Sequence, residues 1–322
     1  MKALVKVETS IAVQEYSGAL NAMLDEWLAD SDVTNELTLK SYRAAITVFL
    51  GWLRDGGYTL DRNTVKAYRQ WLQANRATST ARTYFSILRI FVAWLAGRGF
   101  CPNYCDGVHT VKLDTSVHAR DALTLEESVD VLSSFTGSDA KNLRDKAIMA
   151  LLICCGLRTC EVCRLDFGDI EHRRGQWRLK IWGKGRAGKD ATVILPVEVK
   201  SLIDTYLASR GAVGKKDPLF VSTSRRNKNQ RLQPQTISRL AKKTFDAVGI
   251  DSERVTAHSC RHTCASLGLD FGCSLDEVSK TLRHRSVSVT EVYRHDQIAD
   301  RNQTTRTVAR AIFSSIAKGD CV

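Results

Sequence analysis

Once along this chain, between Trp177 and Pro196, the spacing of apolar residues changes from the three-and-four rhythm of helices to the every-second-residue rhythm of strands. Trp177-Arg178-Leu179-Lys180-Ile181-Trp182 alternates apolar with basic residues, and Thr192-Val193-Ile194-Leu195-Pro196 is β-branched and closed by proline. Gly183 to Asp190 lies between them, so the pair reads as a β-hairpin with a long, basic, glycine-rich tip. Everything else reads as helix or connection. The expected fold is therefore mainly α with a small β-hairpin or sheet, in two domains.

The first hundred residues carry four helices. Residues 13–29 place Tyr16, Leu20, Met23, Leu24 and Trp27 on one stripe, and residues 39–54 do the same with Leu39, Tyr42, Ile46, Phe49, Leu50 and Leu53. Asn63 is expected to cap a shorter helix to residue 74. The Thr78-Ser79-Thr80 cluster is expected to open a fourth, stopped by Gly97 and Gly99. Residues 102–120 have weak periodicity and a Pro-Asn start, the composition of a linker. The expected division is thus a helical domain over 10–101, a linker over 102–120, and a second domain over 121–322. In the second domain, helices are expected at 124–135, 143–155, 197–210, 235–248, 258–271, 274–282 and near the C-terminus.

Charge narrows the partner. The 322 residues hold 47 Lys and Arg against 35 Asp and Glu, a net charge of +12, and such an excess favours a polyanion, nucleic acid first. Residues 1–115 hold 13 basic and 11 acidic residues, so most of the excess lies downstream. In the first domain Arg76, Arg82 and Arg89, with Tyr84, form a candidate DNA-contacting surface. No apolar run reaches the length of a membrane span and no signal peptide is evident, so a cytoplasmic location without membrane association is expected, with the ten cysteines reduced.

Two motifs are set aside on chemical grounds. Gly183-Lys184-Gly185-Arg186-Ala187-Gly188-Lys189-Asp190 approaches a phosphate-binding loop but ends in Asp190 where a Mg²⁺-binding hydroxyl is needed, and a strand follows where a helix is required. Cys160-x-x-Cys163, with Cys260, Cys264, His258 and His262, suggests zinc, but both cysteine pairs fall in expected helices, where free Cys serves as a small apolar side chain. No metal and no cofactor are expected.

The informative set is Gly156-Leu157-Arg158-Thr159-Cys160-Glu161, His258-Ser259-Cys260-Arg261-His262-Thr263, Leu282-Arg283-His284, and Tyr293. His258 and Arg261 stand at i and i+3 near a helix N-terminus, where side chains and free backbone N–H groups together suit a phosphate. In order and spacing these segments resemble the tyrosine site-specific recombinases of the phage integrase and Xer family. The family's first box, T-G-L-R-x-S-E-x-x-x-L, is matched by Cys155 to Leu165, and its second, H-x-L-R-H-[ST]-x-A-[ST], by His258 to Ser266. Its third, L-G-H, appears as Leu282-Arg283-His284, with Tyr293 nine residues after His284. Arg283 stands in place of the family's glycine, and Cys155 and Cys160 stand in place of hydroxyl residues. More loosely, Thr38, Tyr42, Phe49, Trp52 and Leu53 resemble the family's core-binding domain.

The resemblance implies a catalytic set of Arg158, Lys184, His258, Arg261, His284 and the nucleophile Tyr293, supported by Glu161, with Arg186 and Lys189 as DNA contacts. Counting from the first strand favours Lys184 as the catalytic lysine, and counting back from Pro196 favours Lys189; both stay open. It further implies double-stranded DNA as substrate, a 3′-phosphotyrosyl intermediate formed without ATP or metal, and a homotetramer that passes through a Holliday junction. An accessory DNA-bending or directionality factor and a nucleoid-associated location fit that reading. Residues 304–317 carry an apolar stripe that would pack on a neighbouring protomer or on their own domain. The chain leaves little length for a further arm-binding domain, and the Arg283 departure favours a mobile-element or phage enzyme over an Xer-type resolvase. A type IB topoisomerase activity and a DNA-binding protein with a dead site are the competing readings.

Overall fold

A computed structural model describes residues 10–112, 121–182, 188–211 and 213–283. The chain divides into two compact units, Met1–Thr115 and Ser116–Val322.

The first unit is built from α1 (Ser10–Asp30), α2 (Glu36–Gly56), α3 (Arg62–Asn75) and α4 (Thr78–Gly97). Each turns an apolar stripe inward: Leu24 and Trp27 meet Phe49, Leu72, Leu88 and Phe91 in one buried cluster. Trp27 stacks on Tyr42 at 5.1 Å and tilts against Phe91 at 5.2 Å. Local chemistry sets the helix ends. Asn35 accepts from the N–H groups of Leu37 and Thr38, and Gly57, at φ 63°, closes α2 in the left-handed conformation. The cap of α3 is Asp61, whose carboxylate accepts from Thr64 N at 2.7 Å, and not Asn63. A further difference concerns the expected linker. Cys105, Val108 and Val111 are buried in the first unit's core, so its first ten residues belong to that unit. These residues lack periodicity because they run irregularly over the helices, and sequence pattern detects period, not burial.

The second unit is organised around α6 (Ala140–Cys154), buried at every residue from Ala147 to Ile153. A helix apolar on all sides must be enclosed, and α5 (Leu125–Ser133), α8 (Val197–Arg210), α9 (Pro234–Ala247) and α10 (Ser259–Asp270) pack around it. Two short helices, α7 (Thr159–Cys163) and α11 (Leu275–Leu282), flank them. The expected hairpin is present as β2 (Gln176–Ile181) and β3 (Ala191–Ile194), antiparallel, with Lys180 opposite Thr192. A third strand, β1 (Ile170–Arg173), completes a sheet of order β1-β2-β3. It joins β2 through Arg174 and Gly175, both at positive φ, as a two-residue hairpin turn matched to strand twist requires.

Candidate active site

The site begins where the core helix ends. After α6 the chain turns at Gly156, φ 58°, where an added Cβ would lie 2.5 Å from Leu282 Cδ2. Only glycine meets both conditions. The turn leads to Arg158, which caps α7. The Glu161 carboxylate accepts from the Arg158 backbone N–H through Oε2 and from Arg158 Nη1 through Oε1, both at 2.8 Å. The Glu161 side chain is 3% exposed and that of Arg158 25%. Thus Glu161, three residues on, both caps the helix and aims the arginine with a charge-assisted bond.

The start of α10 supplies the second group. His258, exposed, caps the helix, and its ring meets that of His262 edge-on at 4.9 Å. Arg261 is 2% exposed. Its Nη1 donates to Gly156 O at 2.6 Å and its Nη2 to Leu282 O, so one guanidinium ties the first-box turn to the end of α11. Arg158 and His258 line one cavity of about 580 Å³, with Thr159, Cys160, Ser238, Lys242, Ser252 and Thr256. Pattern reading missed Ser238, Lys242 and Ser252; α9 and the loop after it carry them there with no motif to mark them.

Arg283 is the unforeseen member. It ends α11 in the left-handed conformation, φ 57°, and its Nη2 donates to Glu161 Oε2 at 2.8 Å while its Nη1 donates to Thr281 O at 2.6 Å. Burial lowers its guanidinium pKa, the Glu161 carboxylate raises it and Arg158 lowers it again, for a net fall. Glu161 therefore sits between two arginines.

Lys189 is engaged by two carboxylates within the second unit. Its side chain is 18% exposed, and its ammonium pairs with Asp166 at 2.6 Å and with Asp169. Arg231 Nη2 holds the other Asp166 oxygen at 2.5 Å. Burial raises the Asp166 pKa, but the bonds from Lys189 and Arg231 outweigh it and the net shift is downward. This network anchors the base of the hairpin. Lys184, Arg186, His284, Tyr293 and the stripe at 304–317 lie outside the described residues.

In the first unit Arg76, Arg82 and Arg89 are exposed. Arg82 and Arg89 lie two turns apart on α4, and Arg82 lines a surface groove with Ser79, Thr83 and Ser41. Tyr84 instead packs against the unit's core. Of the cysteines of the two boxes, burial pushes Cys163 and Cys260 up to about 12 and Cys264 to about 11, while Cys160 lines the cavity beside Arg158. Among the described residues no group of three or more His, Cys, Asp or Glu is placed to hold a metal ion, and no helix is long and apolar enough to cross a membrane.

Comparison with known proteins agrees with this geometry. Residues 123–299 match the phage integrase family and residues 13–99 its N-terminal SAM-like domain. Tyrosine recombinase XerC of Thermodesulfovibrio yellowstonii is 27% identical over 271 residues, covering 80% of this chain and 85% of that protein. Tyrosine recombinase XerD of Xanthomonas axonopodis pv. citri is 29% identical over 300 residues, covering 86% and 92%. In fold, the chain resembles the XerH site-specific recombinase in its post-cleavage complex with a palindromic difH substrate, with a TM-score of 0.71 at 17% identity over 94% of this chain and 91% of that one. It also resembles a lambda integrase bound to a COC′ core site, with a TM-score of 0.66 at 19% identity over 86% and 77%. With the family matched across more than half of the chain, Arg158 and His258 of its boxes lining one cavity and Arg261 bonded to the Gly156 turn, the chain belongs to the phage integrase family and is a tyrosine site-specific recombinase.

Proposed function

We propose that this recombinase cuts and rejoins double-stranded DNA through Tyr293, with Arg158, Arg261, His258, His284 and Lys184 as the catalytic set. A phosphodiester resists attack because its charge repels nucleophiles and its ester oxygens leave poorly, so cations must meet the charge that builds in the transition state. Arg158 offers a guanidinium fork to the non-bridging oxygens, and Arg261, buried beside it, adds a positive charge little screened by solvent. Tyr293 has an ordinary pKa near ~10 and must lose its proton as it attacks; His258, beside Arg158, takes it. One P–O bond to the 5′ oxygen breaks, one to the tyrosine forms, and Lys184 protonates the departing oxygen. The phosphotyrosyl bond keeps the energy of the broken link, so a second 5′-OH reverses the step without ATP.

The observation that carries this reading is the convergence of Arg158 and His258 on one cavity, with Arg261 bridging the segments that bear them. The pairing of Lys189 with two aspartates supports Lys184 as the catalytic lysine. Around this chemistry the proposed assembly is a homotetramer synapsing two duplexes through a Holliday junction, in the nucleoid, serving integration and excision of a mobile element. Solved relatives include a lambda integrase tetramer bound to a Holliday junction.

The test mixes wild type and Tyr293→Phe with supercoiled DNA carrying the region that flanks the gene, and resolves the strands on a denaturing gel. A protein-linked strand with wild type alone is expected. An adduct of equal yield with Tyr293→Phe moves the nucleophile elsewhere. The sequence at the junction then separates a mobile-element end from a chromosomal resolution site.

A further inference from the structure

We infer that Arg283 is a positioning residue for Arg158. By occupying Oε2 of Glu161 it confines the Arg158 guanidinium to Oε1 and so keeps the rest of that fork available to the scissile phosphate. The inference rests on the proposed role of Arg158 and extends it.

Three observations carry it. First, the two oxygens of Glu161 are divided: Oε1 takes Arg158 Nη1, while Oε2 takes the Arg158 backbone N–H and Arg283 Nη2, each at 2.8 Å. A guanidinium facing an open carboxylate prefers two parallel bonds. With Arg283 removed, Oε2 keeps only the backbone donor, and Arg158 can close onto both oxygens, turning its fork from the cavity.

Second, Arg283 sits at φ 57°, ψ 45°, a left-handed conformation that is strained for a residue with a Cβ and open to glycine. The strained backbone is accompanied by two side-chain bonds that glycine cannot make. Third, the Arg283 side chain is 14% exposed and Glu161 3%. In so dry a place the carboxylate cannot be shared with water, so the second arginine decides how the first one binds.

The experiment compares wild type, Arg283→Gly and Arg283→Lys on a duplex carrying the junction sequence recovered from the wild-type adduct. DNA affinity is measured apart from the single-turnover cleavage rate. For Arg283→Gly we expect affinity within about twofold of wild type and a cleavage rate lower by about tenfold or more, as for misplacement of a group that acts in the transition state. Arg283→Lys, which can still place one N–H on Oε2, should recover most of the rate.

A second arm uses Glu161→Gln. A neutral amide cannot draw Arg158 into an ionic fork, so adding Arg283→Gly to it should slow cleavage far less than in the wild-type background. An unchanged rate in Arg283→Gly, a parallel loss of affinity and rate, no rescue by lysine, or multiplicative effects in the double variant would each overturn the role. A wild type that forms no adduct overturns the site reading and this role with it. A wild type that cleaves no faster than Arg283→Gly overturns this role alone.

Discussion

At Glu161 one carboxylate does three jobs: it caps α7, aims Arg158 and pairs with Arg283. Removing a nearly buried charge from between two cations leaves both unpaired, so Glu161→Ala should lower stability by about 3 kcal/mol, read as a fall in the urea midpoint of the full chain. A midpoint within error of wild type would contradict the burial and pairing described. Gly156 is equally constrained. Gly156→Ala places a Cβ at positive φ against Leu282 and should cost at least about 1–2 kcal/mol and reduce cleavage, because the turn carries Arg158. The i, i+3 spacing of Arg158 and Glu161 was legible as an ion pair. The part of Arg283 was not, because 122 residues separate it from Glu161 and only the fold brings them together.

Among the elements, those with long amphipathic stripes were the legible ones. α2 and α9 emerge within a few residues of the expected segments, since burial of one face is what makes a helix of that length stable. β1 was invisible for the opposite reason. Ile170-Glu171-His172-Arg173 holds one apolar residue and no alternation, and it becomes a strand only by pairing with β2, with Glu171 and Lys180 joined at 2.7 Å. At the base of the hairpin, Asp166 predicts an acid response. Its folded pKa lies below that of a free carboxyl, near ~3.9, so its stabilisation is complete above that value and is lost as pH falls through the lower folded one. Asp166→Asn should be less stable than wild type at neutral pH and should lose less on acidification, seen in thermal unfolding across pH. The same network separates the two lysines. Lys184→Met should abolish cleavage of ordinary DNA, and a substrate whose leaving 5′ oxygen is replaced by sulfur, which departs without a proton, should restore it. Lys189→Met should loosen the hairpin yet gain no more than wild type from that substrate.

For the whole molecule, the net charge of +12 makes DNA affinity a salt-dependent quantity. Each phosphate contact released should flatten the slope of log K against log salt by about 0.9. Arg82→Ala together with Arg89→Ala should therefore reduce that slope by about 2 while leaving the chemical step unchanged once DNA is bound, measured by titration at several salt concentrations. An unaltered slope would remove α4 from the DNA-contacting surface. In the proposed reaction Arg158 at the start of α7 and His258 and Arg261 at the start of α10 serve attack by Tyr293. Mass spectrometry of the adduct after nuclease and protease digestion identifies the residue that attacks. A nucleotide 3′-phosphate remnant is expected on the peptide containing Tyr293 and on no other. A remnant on any other side chain would contradict it.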